Sequence, residues 1–163
     1  MKKFELTNEF VTNMFGTKLF RIRALVEFGD VEAGELGGYV EKESNLGHDD
    51  NAWVYDNAWV YDNAQVSGDA RVCGDARVCG NGDYAYAHGF GSVNRTTTFF
   101  RLKDGGVGVR CGCFYGTLAQ FRDKIRETHG ETKKAQEYLM LADLMELRFE
   151  EDENEVGNRK YVE

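Results

Sequence analysis

Val54, Val60, Val66, Val72 and Val78 stand six residues apart through the middle of the chain. A small residue follows each of them four places on: Ala58, Ala64, Ala70, Ala76 and Gly82. A strand with one buried face repeats every second residue and a helix every third or fourth, so a period of six fits neither. It predicts a coil of short strands separated by corners. Between residues 50 and 79 the units read DNAWVY, DNAWVY, DNAQVS, GDARVC and GDARVC, with the Asn, Asp and Gly that corners favour. Three such units make an 18-residue triangular turn, with valines inside and small residues at the crowded corners. Residues 18 apart then lie one above the other, and adjacent turns satisfy each other's backbone groups along parallel edges.

The flanks carry other patterns. Over residues 18–28, Phe20, Ile22, Ala24, Val26 and Phe28 alternate with Arg21, Arg23 and Glu27, which predicts a strand with one apolar face and a turn at Gly29 and Asp30. Such a strand would cover the open end of the repeat core, with Phe10, Met14 and Phe15 adding to the cover. Gly37 and Gly38 allow a sharp turn or a close backbone approach. Leu46 precedes Val54 by eight residues, two more than the period, so residues 47–50 should bulge as a corner loop carrying a solvated His48. Beyond Val78 the register can run on through Tyr84 and Phe90, where His88 breaks the small-residue rule by ending the coil or pointing into a cleft.

Residues 96–102 and 107–114 read as a hairpin around Lys103-Asp104-Gly105-Gly106. Thr117 and Gln120 form a capping-box pattern ahead of the apolar face Leu118, Phe121 and Ile125, and Gly130 ends that helix. His129, at its end, would complement the helix dipole. A second helix is predicted over 132–149, with Tyr138, Leu141, Met145 and Phe149 inward. The expected fold is mainly β with C-terminal helices, one compound domain. It divides into an N-terminal cap and strand (1–33), the repeat (34–94), a hairpin and two helices without a large core of their own (95–149), and an acidic tail (150–163) from which Tyr161 and Val162 could dock.

Outside the prism, the 18-residue register sets Trp53 over Arg71, Trp59 over Arg77, Tyr55 over Cys73 and Tyr61 over Cys79. Trp–Arg stacks of this kind contribute roughly 0.5–2 kcal/mol each. Trp, Tyr and Arg also anchor interfaces, so Trp53, Trp59, Tyr55, Tyr61, Arg71 and Arg77 are the candidate partner-binding residues; the plainer alternative is internal support beneath a terminal segment.

The repeating valine followed by a small residue resembles the hexapeptide-repeat, left-handed parallel β-helix superfamily over residues 40–90. That resemblance implies the left-handed sense, about three turns, and side-by-side packing of prisms, preferably as a homotrimer. The stretches GDVEAGELGGYVEKESNLGHDDNAWVY and GCFYGTLAQFRDKIRETHGE are similar to small repeat proteins of bacteriophages and prophages described as putative transferases or polymer-forming proteins. In acyltransferases of the superfamily a histidine between coils deprotonates the acceptor while acyl-coenzyme A lies along the prism. His88 is the matching candidate here, with no basic pyrophosphate patch beside it.

Composition narrows the partners. The net charge is −8, and residues 50–83 hold six acidic and two basic side chains, a field that disfavours nucleic-acid phosphate and anionic membrane. No apolar run is long enough to span a bilayer. The four cysteines lack paired Cys-x-x-Cys spacing, so free thiols are expected rather than zinc, and the default compartment is the cytoplasm, which the phage resemblance implies is that of a bacterial host. The expectation is a non-enzymatic, oligomeric protein-binding factor without a cofactor, whose partner is a bacterial host protein such as a defence component. The alternative is a small acyltransferase using an acyl-CoA donor.

Overall fold

The computed structural model describes residues 2–150, and the predicted tail at 150–163, with Tyr161 and Val162, lies almost wholly outside them. The chain is mainly β with two C-terminal helices. An antiparallel pair, β1 (Phe4–Thr12) and β2 (Lys18–Ala24), leads to β3 (Leu36–Val40). Four two-residue strands follow: β4 (Trp53–Val54), β5 (Trp59–Val60), β6 (Arg71–Val72) and β7 (Arg77–Val78). A second sheet is formed by β8 (Tyr84–Phe90), β9 (Arg95–Arg101), β10 (Val107–Cys111) and β11 (Phe114–Thr117), and α1 (Leu118–His129) and α2 (Lys133–Arg148) close the described chain.

The sheets are mixed and antiparallel. One runs β1-β2-β3-β5-β7, antiparallel up to β3 and parallel beyond it; β4 and β6 form a parallel pair; and β11-β10-β9-β8 is antiparallel throughout. The parallel pairs carry the predicted register, with Trp53 opposite Arg71, Val54 opposite Val72, Trp59 opposite Arg77 and Val60 opposite Val78. One layer earlier the offset is two residues longer, with Val40 opposite Val60 and Leu46 bridged to Val66. The extra residues are those of the 47–50 loop. All five valines from Val54 to Val78, together with Ala58, Ala64, Ala70 and Ala76, are buried in one core. Gly37 and Gly38 permit a close approach inside β3: a Cβ on Gly38 would stand 2.6 Å from the Ala58 carbonyl oxygen, and one on Gly37 2.6 Å from that of Val54.

Several expectations change. β1 is a strand that the sequence pattern hides, because a bulge between Leu6 and Phe10 interrupts its alternation. Its residue Phe10, with Met14 and Phe15 in the following turn, is exposed rather than covering the core. Phe4 covers it instead, and the buried Lys3 ammonium ties this end to the corner loop by donating to the carbonyl oxygens of Ala52 at 2.6 Å and Asp50 at 3.0 Å. His48 is not a free loop side chain. Its Nδ1 accepts from the Lys3 backbone N–H at 3.0 Å and its ring stacks on Phe4 at 4.4 Å.

Parallel stacking ends at Val78. A 3-10 turn at Asn81–Asp83 redirects the chain, and Tyr84–Phe90 pairs antiparallel with β9, so the stretch assigned to the repeat up to residue 94 belongs in part to the second sheet. The predicted strand over 107–114 is split at Gly112, whose φ of 59° makes a turn, so Cys113 falls in that turn while Cys111 ends β10. The capping box forms as predicted, with Gln120 N–H donating to Thr117 Oγ1 at 3.2 Å and Thr117 N–H to Gln120 Oε1 at 2.9 Å. The C-terminal elements do own a substantial core: Phe99, Val109, Cys111, Leu118, Phe121, Ile125 and five residues of or after α2. β9 joins the two cores, placing Phe100 in the valine core and Phe99 among the helices.

Candidate functional site

The six aromatic and basic candidates do not form one continuous surface. Trp53 is completely enclosed, with Phe28 at 5.3 Å and Phe4 at 6.3 Å set edge-on to its ring, and its indole N–H has no partner among the described residues. That is the support role beneath a terminal segment. Tyr61 is also buried, in a small cluster with Leu19 and Tyr39. Trp59 and Arg77 are half-buried and make the predicted stack, the guanidinium carbon 3.9 Å from the ring centroid.

Tyr55 and Arg71 join a different network. The Tyr55 hydroxyl donates to Asp30 Oδ1 at 3.0 Å, Arg71 donates to Asp30 Oδ2 at 3.1 Å, and Arg110 lies 4.6 Å from the Tyr55 ring centroid. Burial pushes the Tyr55 hydroxyl well above the usual phenol range, against the pull of Arg71, so it remains a donor at any physiological pH. The same surroundings push the buried Cys73 thiol up to about 11, burial outweighing the hydrogen bond from Arg110. Asp30 and Arg110 lie far from the repeat in sequence, and only the folding of both flanks onto it brings them here.

Beside this network lies a polar cavity of about 260 Å³ lined by Asn51, Asp69, Arg71, His88, Arg95 and Thr96, with Gly29 and Gly112 at its walls. His88 stands exposed on β8, its Nδ1 2.8 Å from Thr96 Oγ1 on the paired strand. The superfamily geometry expected for it, a histidine between stacked coils, is not met, because β8 lies outside the parallel stack. The cavity brings together one imidazole, two guanidinium groups and one carboxylate, a lining suited to a small anionic group. Wider grooves exist. One of 610 Å³ runs between Gln65–Ser67 and Tyr84–Tyr86, with Arg148 at its rim.

The cysteines do not converge. Cys73 and Cys111 are buried, Cys79 is half-buried beside Asp83, and Cys113 is exposed; among the described residues no three metal-ligating side chains cluster. His129 stacks on Tyr138 at 5.9 Å at the end of α1. No described helix is long and apolar enough to cross a membrane.

Exposure shows two features that the repeat pattern does not. The first is the turn between β1 and β2, where the Asn13 side chain accepts from the backbone N–H groups of Phe15 at 2.9 Å and Thr17 at 3.0 Å. Gly16 adopts a φ of 84°, and the turn presents Met14 and Phe15 outward at 61% and 62% exposure. Lys18 lies 4.7 Å over the neighbouring Phe10 ring. The second is the outer side of α2, which carries Met140, Leu144 and Leu147. No family model and no curated protein sequence matches the chain.

Proposed function

We propose that the protein is a non-enzymatic protein-binding factor that works as an oligomer, built on a short left-handed parallel β-helix. The 18-residue stacking of Val54 on Val72 and Val60 on Val78 supports the β-helix reading, and the hand follows the superfamily resemblance. One observation carries the binding function: a turn held rigid by the buried Asn13 side chain thrusts two large apolar side chains, Met14 and Phe15, into solvent. Preorganised apolar anchors lose little conformational freedom on binding, which is what a recognition hot spot requires. Lys18 beside Phe10 adds a positive charge to a chain of net charge −8. The fitting occupant is a foreign protein with an apolar pocket and an acidic rim.

The resemblance to small phage and prophage repeat proteins supports a bacterial host protein as that partner, a defence component being the narrower form of the proposal, and the bacterial cytoplasm as the place of action. In this reading the turn replaces Trp53 as the anchor, since Trp53 is enclosed. The test uses the chain immobilised and exposed to bacterial lysate, followed by calorimetry with the purified captured protein. The double change Met14→Asp and Phe15→Asp should abolish both capture and heat. Equal binding by parent and variant overturns the assignment of the turn.

The acyltransferase reading keeps one observation in its favour, the cavity that joins His88 to Arg71 and Arg95, cations suited to an anionic donor. Its 260 Å³ falls below the roughly 300–1,000 Å³ of sites that enclose drug-sized ligands, so an acyl-CoA would need a groove completed by another copy. Release of free coenzyme A from acetyl-CoA in the presence of amine acceptors, lost on His88→Ala, would favour this reading over the first.

A further inference from the structure

α2 is apolar on two sides. Its inner side is occupied, with Ala135, Tyr138, Ala142 and Met145 packed into the C-terminal core. Its outer side carries Met140, Leu144 and Leu147 at 71%, 54% and 67% exposure. These positions follow one another by four and then three residues, so they form a single line along the helix about 10 Å long, at 1.5 Å per residue. The acidic side chains on one border of this line are neutralised by the neighbouring helix. Arg122 of α1 donates to Asp143 Oδ1 at 2.9 Å and to Glu146 Oε1 at 2.8 Å. On the other border stand Glu137 and Arg148, with Lys133 at the N-terminal end of the line and Glu150 just past the C-terminal end.

We infer that this side of α2 is the seam of a two-fold symmetric dimer, covered by α2 of a second copy running antiparallel. The inference rests on the oligomeric part of the proposed function and replaces the expected homotrimer. It names the surface on which a second copy docks.

The charges select this occupant. When two such helices cross antiparallel about Ala142, Met140 of one faces Leu144 of the partner subunit, and Leu144 faces Met140 of the partner subunit. Glu137 then falls beside Arg148 of the partner subunit, and Lys133 beside Glu150 of the partner subunit. Two-fold symmetry makes each of these pairs twice, as a self-complementary patch requires. Parallel pairing would set Lys133 against Lys133 and would place Glu137 and Arg148 on opposite sides of the seam from their copies, so that neither ion pair could form. Antiparallel packing also opposes the two helix dipoles favourably. The sides of the repeat that a trimer would have covered need less cover, because Phe4 and Phe28 already pack on Trp53 and Phe100 on the valine core. A seam of two single helices belongs to the small class of specific interfaces, under about 1,200 Å², so association should depend visibly on concentration.

Sedimentation of the full chain between roughly 1 and 200 µM tests this. The parent should shift from monomer to dimer mass across that range. Leu144→Glu, a change at an exposed position, should leave the circular dichroism spectrum unchanged and weaken dimerisation at least about tenfold. Glu137→Arg and Arg148→Glu should each weaken it by up to about fivefold, and the two together should restore it, because the exchange rebuilds opposite pairs only in the antiparallel arrangement. A parent that stays monomeric throughout overturns both the seam and the oligomeric reading. A dimer or trimer indifferent to Leu144→Glu overturns the seam and leaves the oligomeric reading standing. Failure of the charge exchange to restore association overturns the antiparallel arrangement.

Discussion

Truncating the two tryptophans of the repeat should have opposite weights, although they occupy equivalent places in identical DNAWVY units. Trp53 has no exposed surface, and the edges of Phe4 and Phe28 meet its ring at 6.3 and 5.3 Å. Trp53→Ala therefore removes a large core side chain and leaves a cavity between the N-terminal strand and the parallel strands of the repeat, a change that costs about 3–5 kcal/mol. Trp59 is half-buried, and its main partner is the Arg77 guanidinium at 3.9 Å, so Trp59→Ala should cost about 1–2 kcal/mol. In a chain of this size each kcal/mol moves the thermal midpoint by roughly 2–4 °C. Trp53→Ala is then expected some 6–20 °C below the parent, and Trp59→Ala roughly 2–8 °C below it. Urea titration followed by circular dichroism gives the free energies directly. Trp53→Phe refines the test, because it keeps much of the ring contact and removes an indole N–H that is buried without a partner among the described residues, so it should recover most of the loss. A cost under about 1 kcal/mol for Trp53→Ala, or equal costs at the two positions, would refute the enclosure of Trp53.

Gly38→Ala should destabilise by about 1–3 kcal/mol in the same titration, because its Cβ would meet the Ala58 carbonyl oxygen at 2.6 Å, whereas Gly80→Ala, with nothing within 4 Å, should stay within about 0.5 kcal/mol. Iodoacetamide at pH 8 should label Cys113 in the native protein while Cys73 and Cys111 react only on unfolding, as peptide mapping would show. With its thiol held up to about 11 by burial, folded Cys73 keeps a proton that the unfolded chain loses from about pH 8.5. Stability should therefore fall as pH rises from about 8.5 to 11, and Cys73→Ala should flatten that part of the profile.

The valine period was legible because it is local: the valines and the alanines after them are buried in one core, and the offset of 18 between the parallel strands is three periods of six. The two-residue surplus between Leu46 and Val54 was legible for the same reason, and it returns as the offset of 20 between Leu46 and Val66. The cap of α1 was written in Thr117 with Gln120, whereas Thr132, read as the first residue of the second helix, is the N-cap of α2. β1 was not legible, because a bulge shifts its alternation. The end of the parallel stacking was misplaced because Tyr84 keeps a repeat-compatible position while its strand pairs antiparallel with β9. At the candidate site, the Trp59–Arg77 stack was readable from the offset, but the burial of Trp53 depends on Phe4 and Phe28 folding back across it. The polar network around Asp30 depends on a contact spanning 41 residues, which leaves no periodic trace.

β9 gives Phe100 to the valine core and its neighbour Phe99 to the helical one, since adjacent residues of a strand point to opposite faces. The valine stack and the helical layer thus share a wall one strand thick. Opening that wall exposes apolar surface on both sides at once, so neither half has a cheap way to melt alone, and the chain should denature as one cooperative unit despite its patchwork of architectures.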